Sequence, residues 1–318
     1  MSIVSLLAAG GVHAETHVRS VVLEVRRDDA PEVRARLNHK TNGLQVATID
    51  GEAKAAGVRK VMDFSSSGPW GGGTVEMKGS TGNLDFNGQK RDLEVSLDIM
   101  NPKAGRNGIS QSVSSYFELL ETTKSTRSYW GDNRGVTVAS GRWQEMTMWS
   151  DSKYSVMLWQ FVSADPATGE TSESTNLGML EIRFYQATAE DIEQLGKSKP
   201  ETREKAIAWL AGRAKPWQES RMLIADGQDS SYMFSDGDYK IADGETYVES
   251  DSLSIVAKLE REGGQINLTC EIGAHYGQDK GQKFDKTITG KLNRGIWDFQ
   301  RIEGCKSANL VVYRLETP

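Results

Sequence analysis

Residues 140–162 read SGRWQEMTMWSDSKYSVMLWQFV, and residues 294–316 read RGIWDFQRIEGCKSANLVVYRLE. Written one above the other without a gap, Gly141 falls on Gly295, Trp143 on Trp297 and Met148 on Ile302. Val156, Met157, Leu158, Trp159 and Phe161 fall on Leu310, Val311, Val312, Tyr313 and Leu315. Each copy is two apolar segments around a polar turn, the pattern of a β-hairpin. Along a strand side chains alternate, so Met157, Trp159 and Phe161 share one face and Val156 and Leu158 the other. Both faces are apolar, which predicts a strand inside a sheet covered on both sides, by helices or by a second sheet.

Outward from the first copy, residues 19–26 (RSVVLEVR) predict a strand from their Val and Leu content. Asp29-Ala30-Pro31-Glu32 then offers an N-cap, a proline in the first turn and an acidic residue, with Val33 and Leu37 following at helical spacing. A second helix is predicted over 51–62. From there the pattern is sheet: 93–99 (LEVSLDI) alternates apolar and polar, 101–111 is a polar Gly/Asn loop, and 116–126, 135–149 and 154–162 are strands.

The second half restarts at Leu180-Glu181-Ile182-Arg183, which matches Leu23-Glu24-Val25-Arg26. Thr188 caps a helix carrying Ile192 and Leu195, and Ser198-Lys199-Pro200-Glu201 precedes another with Ala206, Trp209 and Leu210. Strands over 220–225, 229–234, 252–260, 265–272 and 283–292 lead to the closing hairpin. The fold predicted is α+β, mostly β: two tandem repeats, each of two short helices and an antiparallel sheet. Their bounds are 15–162 and 179–318, joined by a small, polar linker over 163–178.

A chain of 318 residues has room for two such units. A formal charge of −6 and the lack of a Lys/Arg-rich run exclude the cationic footprint of a nucleic-acid binder. No stretch approaches the roughly 20 apolar residues of a membrane helix. Residues 1–14 (MSIVSLLAAGGVHA) carry an apolar run and end in Val12-His13-Ala14, a signal-peptidase-like site that leaves Glu15 first, although the basic start of a signal peptide is missing. Export to a periplasmic or outer-membrane-associated location follows. It would permit a disulfide between Cys270 and Cys305; a buried free thiol at Cys270, in line with Ile266, Leu268 and Ile272, is the other reading.

Several stretches of the second half bear a family resemblance. They are Leu180-Glu181-Ile182-Arg183-Phe184 with a later Leu195-Gly196; Ser220-Arg221-Met222-Leu223 with Asp226-Gly227-Gln228; and Gly263-Gly264-Gln265-Ile266-Asn267-Leu268. Thr287-Ile288-Thr289 before Asn293 and Gly295, and the terminal LVVYRLETP (310–318), complete the set. Together they resemble the core domain of bacterial secretins, the ring-forming proteins of type II and III secretion and type IV pili. The family's gate and lip segment has no counterpart between Trp297 and Ala308. The resemblance therefore implies a secretin-like fold rather than a pore.

No H-E-x-x-H, C-x-x-C or G-x-S-x-G motif occurs, and the four histidines (His13, His17, His39, His275) are scattered. No catalytic residues, cofactor or metal are expected. The acidic stretch 235–245 (SDGDYKIADGE) lacks the spacing of an EF-hand and reads as a solvated turn. Among the eight tryptophans, Trp159 and its counterpart Tyr313 belong to the core, whereas Trp130 and Trp149 are the candidates for a partner or ligand surface. The expectation is a non-enzymatic, exported structural or assembly protein that meets a protein partner or itself. A carbohydrate-binding β-rich module using surface tryptophans is the alternative.

Overall fold

The computed structural model describes residues 15–41, 44–45, 47–69, 74–86, 89–105, 108–121, 126–150, 153–164, 176–225, 227, 229–242, 245–262, 265–276, 284–291, 295–302 and 308–316. The signal-peptide expectation, most of the linker and Cys305 fall outside them.

In the first half, β1 (Glu15–Arg26) leads through a short 3-10 turn into α1 (Ala30–Asn38). The small pair β2 (Lys40–Thr41) and β3 (Leu44–Gln45) and the single-turn α2 (Ile49–Glu52) come next. Seven strands complete this half: β4 (Val58–Pro69), β5 (Thr74–Phe86), β6 (Gln89–Gly105), β7 (Gly108–Glu121), β8 (Thr126–Ala139), β9 (Trp143–Ser150) and the closing β10 (Tyr154–Ala164). The second half opens with β11 (Asn176–Gln186), α3 (Ala189–Gly196) and α4 (Arg203–Ala211). It continues through β12 (Lys215–Ala225), β13 (Asp229–Ala242), β14 (Glu245–Glu262), β15 (Gln265–Tyr276), β16 (Phe284–Lys291), β17 (Asp298–Arg301) and β18 (Leu310–Glu316).

Among the described residues the protein is mostly β, with two large antiparallel sheets, the small β2–β3 pair and four α-helices. The first sheet runs β17-β18-β11-β12-β9-β10-β1-β4 and the second β16-β15-β14-β13-β8-β7-β6-β5. Both sheets thus pass without a break from one half of the chain into the other. They are packed face to face: Val22, Leu158, Ile182 and Met222 of the first share one core with Leu93, Val113, Tyr232 and Ile255 of the second. The helices cover the outer face of the first sheet. Val33 and Leu37 of α1 pack on Val21, Leu23, Met157 and Trp159, while Leu195, Ile207 and Leu210 of α3 and α4 pack on Tyr185, Leu310 and Val312. Val156 to Phe161 is therefore apolar on both sides because one side meets helices and the other meets a sheet.

Local signals mark the starts of α1 and α3, although the Asp29 side chain makes no cap bond and Ser198 bonds back to Gln194 O rather than capping α4. The Thr188 hydroxyl accepts the Asp191 N–H at 3.1 Å and starts α3, and Pro31 sits in the first turn of α1. The helix predicted over 51–62 is instead the single turn α2 followed by β4. Gly57, at φ +82°, ends the turn, and the β-branched Val58 and Val61 then enter the sheet. The loop predicted over 101–111 is a hairpin whose ladder continues to the pair Gly105–Gly108. The turn predicted over 235–245 is likewise the end of a hairpin, with β13 and β14 paired as far as Ala242 and Glu245. The strand predicted over 135–149 is two strands. Gly141, at φ +76°, turns the chain from β8 in the second sheet to β9 in the first.

Candidate functional site: the junction between the halves

The four strands that each half gives to the first sheet have the same order. It is β9-β10-β1-β4 in the first half and β17-β18-β11-β12 in the second. Local irregularities coincide as well. The β1–β4 ladder shifts register between Val22 and Leu23, and the β11–β12 ladder between Phe184 and Tyr185. Gly141 and Gly295, at φ +76° and +77°, donate their N–H groups to the last strand of their half, to Val162 O at 2.7 Å and Leu315 O at 2.8 Å. Trp143 begins β9 and Trp297 immediately precedes β17. Both are buried on the helix side, with Arg19 lying 5.5 Å over the first ring and Arg183 and Arg314 at 4.6 and 4.4 Å over the second.

The gapless comparison of the two hairpins does not hold in their last strands. Trp159 faces the helices with Met157, but Tyr313 faces the second sheet with Val311; the helix-facing residues there are Leu310 and Val312. A bulge explains the slip. Leu158 pairs with Thr147 and Trp159 with Glu145, so Met146 is an extra residue in β9, whereas β17 and β18 pair without interruption from Asp298–Tyr313 to Arg301–Leu310. The comparison of Leu23 with Leu180 is out of phase in the same way, since Leu23 faces the helices and Leu180 the second sheet. The shared bulge places Leu23 with Tyr185.

The halves meet where β12 pairs with β9, from Glu219–Ser150 to Met222–Thr147, and where β13 pairs with β8, from Ser230–Arg134 to Asp238–Thr126. A cluster of charged side chains is buried on the helix side of the first joint. Arg221 Nη1 lies 2.8 Å from Glu181 Oε2 and 2.7 Å from Glu316 Oε2, and Arg314 is 3.0 Å from Glu181. Arg34 of α1 reaches Glu145 at 2.8 Å. Burial pushes the Glu181 carboxyl up, but the guanidinium groups of Arg183, Arg221 and Arg314 outweigh it and hold the group down at about 2.

Beside this cluster, a groove of about 470 Å³ opens between α1 and the end of α4. Arg27 and Arg34 line one wall, Arg183, Tyr185 and Glu219 the other, and Ser150 and Ser155 the floor. Glu219 pairs with Arg27 across the joint at 3.0 Å and with Arg183 of its own half at 3.5 Å. The Ser150 and Ser155 hydroxyls bond each other at 2.7 Å, and no histidine is among the lining residues to serve as their base. The Arg27–Glu219 pair in this groove ties the two halves together.

The tryptophans proposed for a surface are on different sheets. Trp149, in β9, has 4 % of its surface exposed and lies between the sheets, so it offers no face to a ligand. Trp130, in β8, pairs with Phe117 and Phe234; its side chain lies outside the described residues. Cys270 sits in β15 opposite Ala257 and Ile288, and its proposed partner Cys305 lies outside the described residues. His17 bonds Ser67 at 2.7 Å near the open end of β1, and His39 follows α1. Among the described residues no group of three or more His, Cys, Asp or Glu could hold a metal ion, and no helix is long and apolar enough to cross a membrane. Sequence reasoning missed the Arg221–Glu181–Glu145 cluster. Its signal is present as charges inside the apolar runs MLEIRF (179–184) and SRMLIA (220–225).

Compared with family models, curated proteins and solved structures, the chain matches none.

Proposed function

We propose that the chain is a non-enzymatic, exported structural or assembly protein of the bacterial envelope, built from two secretin-like repeats over 15–162 and 179–318 and not itself a pore. The observation that carries this reading is the shared strand order of the halves. It leaves β4 and β17 as terminal strands of the first sheet, and β5 and β16 as those of the second. Terminal strands offer unpaired backbone groups to another chain, and assembly by strand addition uses them directly. The outer face of the second sheet adds an exposed apolar row across the joint. Tyr116 and Met233, 41 % and 52 % exposed, flank Gly131 on neighbouring strands.

The test is to purify the full chain, size it in solution and expose it to an envelope extract. An oligomer, or retention of an envelope protein in fixed ratio, is expected. A monomer that retains nothing overturns the reading. The carbohydrate-binding alternative loses one of its two tryptophans with the burial of Trp149.

A further inference from the structure

The way the halves join has a direction. A two-fold arrangement would pair a strand of one half with the same strand of the other. Here β12, which occupies in the second half the place of β4 in the first, pairs with β9, which occupies the place of β17. The second sheet repeats this: β13 follows β12 as β5 follows β4, and it pairs with β8, the counterpart of β16. Each joint is therefore head-to-tail, and a head-to-tail joint leaves one head and one tail open. Among the described residues the open head consists of β4 and β5. The open tail consists of β17 and β16.

Resting on the assembly reading above, we propose that the partner of these edges is a second copy of this chain, docked in the geometry that already joins the two halves. Strand β4 of one molecule continues the first sheet beyond β17 of the next, and β5 continues the second sheet beyond β16. The result is a closed ring or an open filament with uninterrupted double sheets, according to whether the rotation per chain closes.

The inner joint specifies the outer register. The shared bulge sets Ser65 and Ser66 of β4 in the places of Arg221 and Met222 of β12, since Arg19–Ser65 corresponds to Glu181–Arg221. Pairing with β18 and β10 sets Gln300 and Arg301 of β17 in the places of Thr147 and Met148. The observed pairs Arg221–Met148 and Met222–Thr147 thus become Ser65–Arg301 and Ser66–Gln300 between molecules. Arg301 then stands opposite a serine and diagonal to the Asp63 carboxylate, within reach of a long side chain. Ser65 and Arg301 are both exposed, so substitutions there leave the core of the single chain intact.

Two experiments on the full chain decide it. First, Ser65→Lys places a lysine against Arg301, and Ser65→Lys with Arg301→Glu restores an opposite pair. Sedimentation should show assembly weakened about two- to fivefold per joint by the first and recovered by the second. Second, Ser65→Cys with Arg301→Cys, in a chain with Cys270→Ala and Cys305→Ala, should give a ladder of disulfide-linked multimers with copper-phenanthroline, while neither single variant does. Seven strand spacings, about 34 Å, separate the two positions within one molecule, so no internal link competes. A dimer linked by Ser65→Cys alone indicates two-fold pairing and overturns the proposal. So does a wild-type chain that sediments as a monomer; if that monomer still retains an envelope protein, only self-assembly is lost and the broader reading stands.

Discussion

Arg221 reaches from β12 to Glu181 on β11 with its Nη1 2.8 Å from the carboxylate, and only 5 % and 2 % of the two side chains are exposed. The same guanidinium lies 3.7 Å from Glu145 of β9 and thereby spans the joint between the halves. Removing it strips a shared counter-ion from two buried carboxylates, Glu181 and Glu145. Arg221→Ala should therefore destabilise the protein by about 3–5 kcal/mol, measured as a lower urea midpoint.

Acid should act through the same carboxylate. Glu181 is held at about 2 in the folded chain, below its ordinary 4.5. A depressed carboxyl contributes stability that is complete above the unfolded value and is lost as pH falls from about 4.5 towards 2. Melting temperature should fall across that window, and the fall should be shallower in Glu181→Gln, whose starting stability is lower.

Gly141 and Gly295 test the correspondence of the two closing hairpins. Each has φ near the left-handed region and open space where a Cβ would stand, so an alanine meets only backbone strain. Gly141→Ala and Gly295→Ala should each cost about 1–2 kcal/mol in chemical denaturation, with asparagine tolerated better at both. Unequal losses would separate the two turns.

Trp297 is 3 % exposed with two guanidinium groups over its ring. Trp297→Ala should cost about 3–5 kcal/mol, read from the same denaturation curves. Trp297→Phe keeps an aromatic face for Arg183 and Arg314 and should recover part of that loss.

Much of the fold was legible in the chain. The alternation of Leu93 to Ile99, the doubly apolar run from Val156 to Phe161 and the Thr188 cap each state a local preference that tertiary packing leaves unchanged. Three features were not legible, for distinct reasons. The extra residue at Met146 reverses which side chains of the next strand face the helices, and a bulge has no residue signature of its own. The helix expected over 51–62 stops at Glu52 because Gly57 turns the chain and β4 pairs with β1, a contact remote in sequence. Hairpin tips rich in Gly, Asn and Asp read as loops, although ladder bonds extend through them irrespective of side chain. Of the candidate site, Trp149 looked accessible from its polar neighbours; it is covered because β12 pairs alongside and the second sheet packs over it. The charged seam was overlooked because its members, Arg34, Glu145, Glu181 and Arg221, are contributed by four separate elements.

The continuity of both sheets across the joint also bears on what happens when the chain is cut. A protease nick between Ala164 and Asn176 would sever the only covalent tie between the halves, yet β9 would still be bonded to β12 and β8 to β13. The two fragments should co-purify, and when expressed from separate genes they should find each other and reconstitute the native molecule.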